Sequence, residues 1–470
     1  MATKQMISGM KNLDKLAYHI ICNWSKEINF NPVFDGIDYS QILRFYLWDK
    51  VGRAIRIQNN ISFNEIESYK ADYNSYPFYH TPLLPKGKYR RSLFSRKKVV
   101  FIPFQTSHTA LLIQKLQASK KVKVISKQIT KQLKKENVIS ALKYSYNEEL
   151  GNTLFNAVIK AFDKFNIDLI SEDKDLLKAQ INGAVKITAL AEKELLKHKP
   201  NAVYVHSDNH PPYINYILVA KKLNIPTFTY QHGLDCEQYL LDDCYADYVA
   251  LWSENRKQRY IANSIFQPKE YKVLGNFILS VTELKQREIE KTILFITRPH
   301  KSIKCYSPFR NHLEGVNILR ALLAFLDKNP KINLLIKAHP MDLVKPYEAL
   351  ISKSGLDTRV EIVNEPVESY FAKASVVVTE DSTAGVEAML YNIPCIHAHF
   401  SKSEPVLPFV KSGVALAGYS HEELVNNLKK LFNLTQEKKE IIKINQQKFT
   451  QQLLPIGKVD SLVDFITQYS

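Results

Sequence analysis

Cysteine is scarce in this chain: five residues in 470, at positions 22, 236, 244, 305 and 395, with no Cys-x-x-Cys pair and no nearby Cys/His set. That spacing excludes a disulfide framework or a zinc module as the organising element. Glycine is low as well, 14 residues beside 20 prolines, so there is no collagen-like or Gly/Ser-rich segment. Apolar runs stay below about 10 residues, whereas a bilayer span needs about 20. The amino terminus, MATKQMISGMKNLDKLAYHIICNW, is broken by lysines where a signal peptide needs a clean apolar block. These absences predict a protein of the reducing cytoplasm, soluble or peripheral on the inner face of the cytoplasmic membrane. Acidic residues are missing from one stretch altogether: residues 86–135 carry fifteen Lys or Arg and no Asp or Glu.

What is present is ordinary globular composition, 45% hydrophobic and 24% charged, over a length that suits two or three domains. The net charge of +17 points to an acidic partner. Its densest part, 86–135, reads either as a solvated lysine face or as a surface for anionic lipid headgroups, where each basic residue contributes about 1 kcal/mol. No nucleic-acid recognition motif accompanies the charge, so a nucleic-acid partner is not expected.

Residues 1 to about 95 read as helices, with apolar residues of YSQILRFYLWDKVGRAIRI at helical spacing. From KVVFIPF (98–104) onward, short apolar runs alternate with helical stretches. VKVIS (122–126), NAVYVHSD (201–208), IPTFTYQHG (225–233) and ADYVALW (246–252) are strand candidates, and long amphipathic stretches at about 138–165 and 173–198 suggest a helical insertion or cover. After the charged connector LKQREIEK (284–291) a second series begins, with strands expected at 292–297, 332–339, 359–363, 375–380 and 394–398. The pattern predicts an α/β protein of two Rossmann-like domains facing a cleft, with extra helices. The expected divisions are a helical extension (1–95), a first Rossmann-like acceptor domain (96–283), a second Rossmann-like donor domain (284–435) and carboxy-terminal helices folding back (436–470). Ligands in such sheets bind beyond the carboxyl ends of the strands.

Three polar loops follow strands of the second half. In Thr379-Glu380-Asp381-Ser382-Thr383-Ala384-Gly385-Val386-Glu387 an apolar strand runs into helix-start residues. The amides, dipole and two hydroxyls of such a start form a phosphate site, although a cap needs only one hydroxyl. Glu387, one turn on, suits hydrogen bonds from ribose hydroxyls or is a plain surface glutamate. His339 ends another strand before Pro340, where its imidazole can donate to a phosphate oxygen. Arg298, Lys301 and Lys304 follow the first strand of this half and can neutralise a diphosphate, or form a solvated basic loop. In the first half, Tyr230-Gln231-His232-Gly233 and the cluster from His206 to His210 also follow strands. His232 or Asp208 there could take a proton from an acceptor hydroxyl, while Asp208 equally suits a helix cap. The acidic pair Asp242-Asp243 reads as a polar turn, and no DxD-type metal motif falls at a strand end.

Taken together, TYQHG, the strand ending in Val273-Leu274-Gly275-Asn276, KAHP, and EDSTAGVEAMLYNIP about forty residues later resemble bacterial surface-polysaccharide glycosyltransferases of the GT-B fold. The His-Pro and Ser-Thr pairs are similar to motifs of transferases using CMP-activated acidic sugars, of sialyl and Kdo type, and to polyol-phosphate transferases using CDP-glycerol. The resemblance spans about residues 200–400. It implies that His339, Ser382 and Thr383 hold the phosphate of a nucleotide-sugar donor; by their positions Pro340, Glu380, Asp381, Gly385 and Glu387, with Arg298 and Lys301, are expected to complete the donor site. It also implies that no metal or other cofactor is needed, and that the acceptor is a glycan or lipid-linked glycan. The sialyltransferase pattern puts the base at Asp208 and the polyol-phosphate pattern puts it at His232. A glycan-binding assembly protein without turnover is a third possibility.

Overall fold

The computed structural model describes residues 12–59, 98–128, 147–231, 233–234, 243–264, 266–277, 291–298, 300–301, 310–339, 342–400, 405 and 407–470. The first part opens with helix α1 (Asn12–Glu27), a short antiparallel pair β1 (Val33–Phe34) and β2 (Ile37–Asp38), and helix α2 (Tyr39–Gln58), whose first turn is capped by the Asp38 carboxylate accepting from the Ser40 amide. There follow β3 (Lys98–Gln105), α3 (Ser107–Ala118), β4 (Val122–Gln128), α4 (Glu148–Lys164), α5 (Ser171–His198), β5 (Ala202–Val205), α6 (Tyr213–Lys222), β6 (Thr227–Tyr230), β7 (Tyr248–Leu251), α7 (Glu254–Asn263) and β8 (Glu270–Val273). The strands form one parallel sheet in the order β4-β3-β5-β6-β7-β8.

Both faces of a parallel sheet must be covered, and side chains alternate between them. Val203 and Val205 of β5 point into a core shared with α1, α2, α4, α5 and α6, while Ala202 and Tyr204 point into the opposite one. The helical extension and the inserted helices α4 and α5 are therefore one layer on one face. Arg44 of α2 is buried there and ties the layer to the chain entering β7, reaching the Asp243 carboxylate (2.9 Å) and the Tyr245 hydroxyl (2.9 Å). Asp243 is thus a buried ion-pair partner and not a surface turn, because a guanidinium without water needs a carboxylate beside it.

The second part runs through β9 (Thr292–Ile296), β10 (His300–Lys301), β11 (Arg310–Asn311), α8 (His312–Asp327), β12 (Asn333–Lys337), α9 (Lys345–Ser354), β13 (Val360–Val363), α10 (Glu368–Phe371), β14 (Val376–Thr379), α11 (Thr383–Leu390), β15 (Cys395–Ala398), β16 (Leu416–Gly418) and α12 (His421–Phe432). Its parallel sheet has the order β13-β12-β9-β14-β15-β16. In order of occurrence this is 3-2-1-4-5-6, the doubly wound nucleotide-binding order. The connector at 284–291 falls mostly outside the described residues.

Helices α13 (Gln436–Leu453) and α14 (Val459–Tyr469) close the chain. Phe465 of α14 meets Phe228 and Tyr248 edge-on at 5.8 and 5.9 Å, so the last helix packs on the first sheet, beside α3. Two of the lysines in the basic stretch, Lys115 and Lys121, face Asp460 and Asp464 of α14 at 3.7 and 3.6 Å; residues 86–97 and 129–135 of that stretch lie outside the described residues. The two sheets share an apolar core with α11, α13 and α14. Where the first part ends, the backbone of Leu274–Asn276 lies against the α13–α14 link, with Asn276 bridging Ile456 and the Tyr230 hydroxyl donating to the Gly275 carbonyl (2.7 Å). This approach requires two glycines: Gly275 has φ +74°, and a Cβ on Gly457 would lie 2.1 Å from the Leu274 carbonyl oxygen. Gly457→Ala is expected to cost about 1–3 kcal/mol through this overpacking, read as a lower Tm. An unchanged Tm would mean that the link does not hold the contact in solution.

Candidate functional site

The register of the second sheet sets the site. Lys337, Ile296, Thr379 and His397 are level on β12, β9, β14 and β15. Residues just beyond them, His339, Arg298, Glu380–Thr383 and His399, therefore emerge at one edge. The strand order reverses between β9 and β14, the position where doubly wound sheets open a crevice for ligands. Arg298 and the start of α11 flank that point.

At the α11 start, Ser382 is extended (φ −136°, ψ 142°), and its Oγ accepts from the Ala384 amide at 3.2 Å. One of the two hydroxyls is therefore a cap, and Thr383 is the first helical residue. Gly385 lets the helix crowd onto the strand it follows, since a Cβ there would lie 2.7 Å from Thr379 Oγ1. Amides and the positive dipole end are thereby held close over the tip of β14, a favourable place for an anion.

His339 is fixed from below. Its amide donates to Thr297 Oγ1 (3.0 Å), the Thr297 hydroxyl donates to Asp342 Oδ2 (2.5 Å), and the Tyr347 hydroxyl donates to the same oxygen (3.1 Å). The Asp342 amide closes the turn onto the His339 carbonyl (2.8 Å). Thr297 and Asp342 were not singled out from sequence. Their signal is that each lies within three residues of a chosen residue and carries a group able to brace a turn.

Glu380 and Asp381 are buried, and their carboxylates engage the protein. Glu380 Oε2 accepts the Arg298 amide (3.1 Å); Asp381 Oδ1 accepts the Leu407 amide (2.9 Å) and lies 3.1 Å from His397 Nε2, while Oδ2 is 3.6 Å from Arg298 Nη1. These two acids brace the edge from within. Glu387 is only partly exposed, and burial, helped by Glu368, pushes its carboxyl up to about 7. Lys301 has its backbone in the two-residue pairing of β10 with β11, and its side chain, like Pro340 and His232, lies outside the described residues.

In the first sheet the order of occurrence is 2-1-3-4-5-6, with its reversal between β3 and β5. Asp208 follows β5 and is buried. Its Oδ2 accepts the amides of Tyr245 (2.7 Å) and Ala246 (2.8 Å), and burial raises its carboxyl to about 6. Gln231 links the ends of β6 and β7, accepting from the Trp252 amide (3.0 Å) and donating to the Gly233 carbonyl (2.8 Å). Among the described residues, no group of three or more His, Cys, Asp or Glu is placed to hold a metal ion, and no helix is long and apolar enough to cross a membrane.

With these elements in place, the fold is that of GT-B proteins, two Rossmann-like lobes each carrying a six-stranded parallel sheet. Residues 208–398 match the family model described as capsule polysaccharide biosynthesis protein. No curated protein matches the chain. Among solved structures it is similar to MnaA of Staphylococcus aureus, solved with UDP, at a TM-score of 0.51 and 17% identity over 79% of this chain and 96% of that one. It is also similar to a UDP-GlcNAc 2-epimerase from Neisseria meningitidis bound to UDP-GlcNAc, at 0.48 and 16% over 76% and 99%. A glycosyltransferase from Rickettsia africae gives 0.47 and 12% over 80% and 99%.

Because the Glu387 carboxyl is raised in the folded chain from an ordinary value of 4.5 to about 7, the fold is at no disadvantage below the lower value and loses stability as pH rises through the higher one. Glu387→Gln removes that loss. The variant is expected to match the parent near pH 4.5 and to exceed it in stability at pH 8, by up to ~3 kcal/mol, with denaturant unfolding at both pH values as the measurement.

Proposed function

We propose that this chain is a glycosyltransferase of capsule-type surface polysaccharide synthesis, moving a sugar from a nucleotide donor to a hydroxyl of a glycan or lipid-linked glycan. The observation that carries this reading is the level placement of Arg298, His339 and the α11 amino end around the β9/β14 reversal, within the span that matches the capsule family. Three sources of positive potential at one sheet edge suit the charge that builds on a departing nucleotide phosphate. In this reading Arg298 and the α11 amides bind the phosphate, His339 donates to it as the glycosidic bond breaks, and Glu387 accepts from the ribose. Lys301 and Thr383 complete the donor site. The remaining basic residues of 86–135 draw the enzyme to an anionic membrane or acceptor.

Acceptor activation goes to His232 of the Tyr230–Gly233 loop. Asp208 instead holds the returning segment at Tyr245–Ala246, the arrangement its two amide contacts favour. The KAHP and Ser-Thr landmarks support a CMP-linked ulosonic acid as donor. A second reading, a uridine donor, is favoured by the UDP in the MnaA structure of like fold. Calorimetric titration with CMP, CDP, UDP and GDP separates the two, and a product that is a phosphodiester instead of a glycoside would assign polyol-phosphate transfer.

His339→Ala is expected to lower kcat by about 100-fold or more while leaving Tm unchanged; wild-type turnover in that variant would remove His339 from the mechanism. Asp208→Ala strips two buried amides of their acceptor and is expected to cost about 2 kcal/mol or more of stability. His232→Ala is expected to keep Tm and lose turnover. The opposite pattern, a stable but inactive Asp208→Ala, would return the base to Asp208.

A further inference from the structure

The apolar core of the second sheet opens to the surface in a pocket of about 580 Å³ between the end of α12, the start of α13 and the edge strand β16, a size that suits a small ligand. Its floor is Leu416, Leu434 and Ile442, which pack against the core that holds β9 and β12. Its rim carries Lys429, Lys430 and Lys438, all exposed, and Ile441. Helix α12 starts just beyond β16 and runs back along the sheet for about 18 Å, so the lysines of its last turn lie at the end of the lobe opposite the donor edge. Among the described residues that line the pocket there is no Asp or Glu, and none of the three lysines is paired with a carboxylate; Glu440, one turn on, is held by Lys443 (3.2 Å). Residues 427–448 as a whole carry six lysines and two glutamates. Helix α13 buries Gln446, Phe449 and Thr450, and at about 100° per residue Ile441 and Ile444 point away from that stripe, 52% and 42% exposed.

We propose that this pocket is where the chain docks on an anionic lipid bilayer, with the three lysines on headgroup phosphates, Ile441 and Ile444 in the interfacial layer, and an acyl chain against Leu416, Leu434 and Ile442. The layering of the site carries the choice of partner. Ammonium groups on long stems stand above an apolar floor, which matches the order of charge and hydrocarbon at a membrane surface. A soluble phosphate would satisfy the lysines and leave the floor and both isoleucines in water, whereas a lipid removes that apolar surface as well. The contact lies at the far end of the lobe from Arg298 and His339, so a bound membrane leaves the donor edge open, and it does not depend on the donor reading above. It also lies in the other lobe from the described part of the basic stretch 86–135, so the two surfaces can be altered separately.

The test is co-sedimentation of the full chain with vesicles of phosphatidylcholine alone and of an equimolar mixture with phosphatidylglycerol. Three variants are compared with the parent: the triple Lys429→Gln, Lys430→Gln, Lys438→Gln; the double Ile441→Ser, Ile444→Ser; and, from the basic stretch, the triple Lys131→Gln, Lys134→Gln, Lys135→Gln. The parent is expected to bind the phosphatidylglycerol vesicles, to bind phosphatidylcholine weakly, and to be released as salt is raised. The pocket triple and the isoleucine double are each expected to weaken partition by about 10-fold or more. Their side chains are exposed, so Tm should stay at the parent value. Parent binding that is absent, or equal on the two vesicles, would overturn the proposal, the first result leaving the pocket to an acidic partner protein. A loss confined to the 131–135 triple would also overturn it and assign the membrane contact to the basic stretch. Loss in the lysine triple with none in the isoleucine double, together with calorimetric binding of inorganic phosphate by the parent, would reduce the pocket to a site for a soluble anion and overturn the lipid assignment.

Discussion

A parallel strand covered on both faces has only its ends left for polar chemistry, and this chain has two such sheets. Every described strand residue of β9 and β14 is buried. Backbone register then places the polar residues beyond them at one height, and the order of crossovers decides where neighbouring helices part. The site follows from those two facts. Arg298 and the α11 amino end flank the gap because β9 and β14 are adjacent in the sheet although residues 297–375 lie between the two strands in sequence.

The same constraint explains why so much of the edge is bracing. Carboxylates brought that close to buried strands cannot remain solvated, so each must find donors or cations. Glu380 takes the Arg298 amide, Asp381 takes the Leu407 amide and has the Arg298 guanidinium beside it, and Asp342 takes two hydroxyls. In the first lobe Asp208 and Asp243 are spent the same way, on the Tyr245 and Ala246 amides and on Arg44. Acidic residues that look chemically free in a sequence are mostly those that set backbone and cations in place. Glu387 is the exception, a partly buried carboxyl whose raised ionisation leaves it neutral or charged near physiological pH.

The chain is also closed on itself. The last helix returns to the first sheet through Phe465, and Gly275 and Gly457 let two backbones touch where the lobes meet. The shared apolar core joins both sheets to α11, α13 and α14, so the donor-side helix α11 rests on the same packing that unites the lobes. Helices α4 and α5, with α1 and α2, form a layer over the opposite face of the first sheet. That layer reaches the loops through buried links such as Arg44 to Asp243.

What the sequence determined by itself was the alternation of apolar runs and helical stretches. The β-branched runs of two-face-covered strands and the helix-start signature at Ser382 are local properties, and each was readable at the positions where it occurs. The nomination of Arg298, His339 and the Ser382–Thr383 pair followed, because those residues directly succeed apolar runs. What only the tertiary structure decided was what each acidic or imidazole group faces. Asp243 meets Arg44 across about two hundred residues, and Asp381 meets Arg298 and His397 from two other strands. The His-Ala-His at the end of β15 carries no functional signal in the sequence, because a histidine inside an apolar strand looks structural until its neighbours are known. Burial and long-range pairing depend on strand order and register, and those are settled by how helices pack across the chain, which no local pattern encodes.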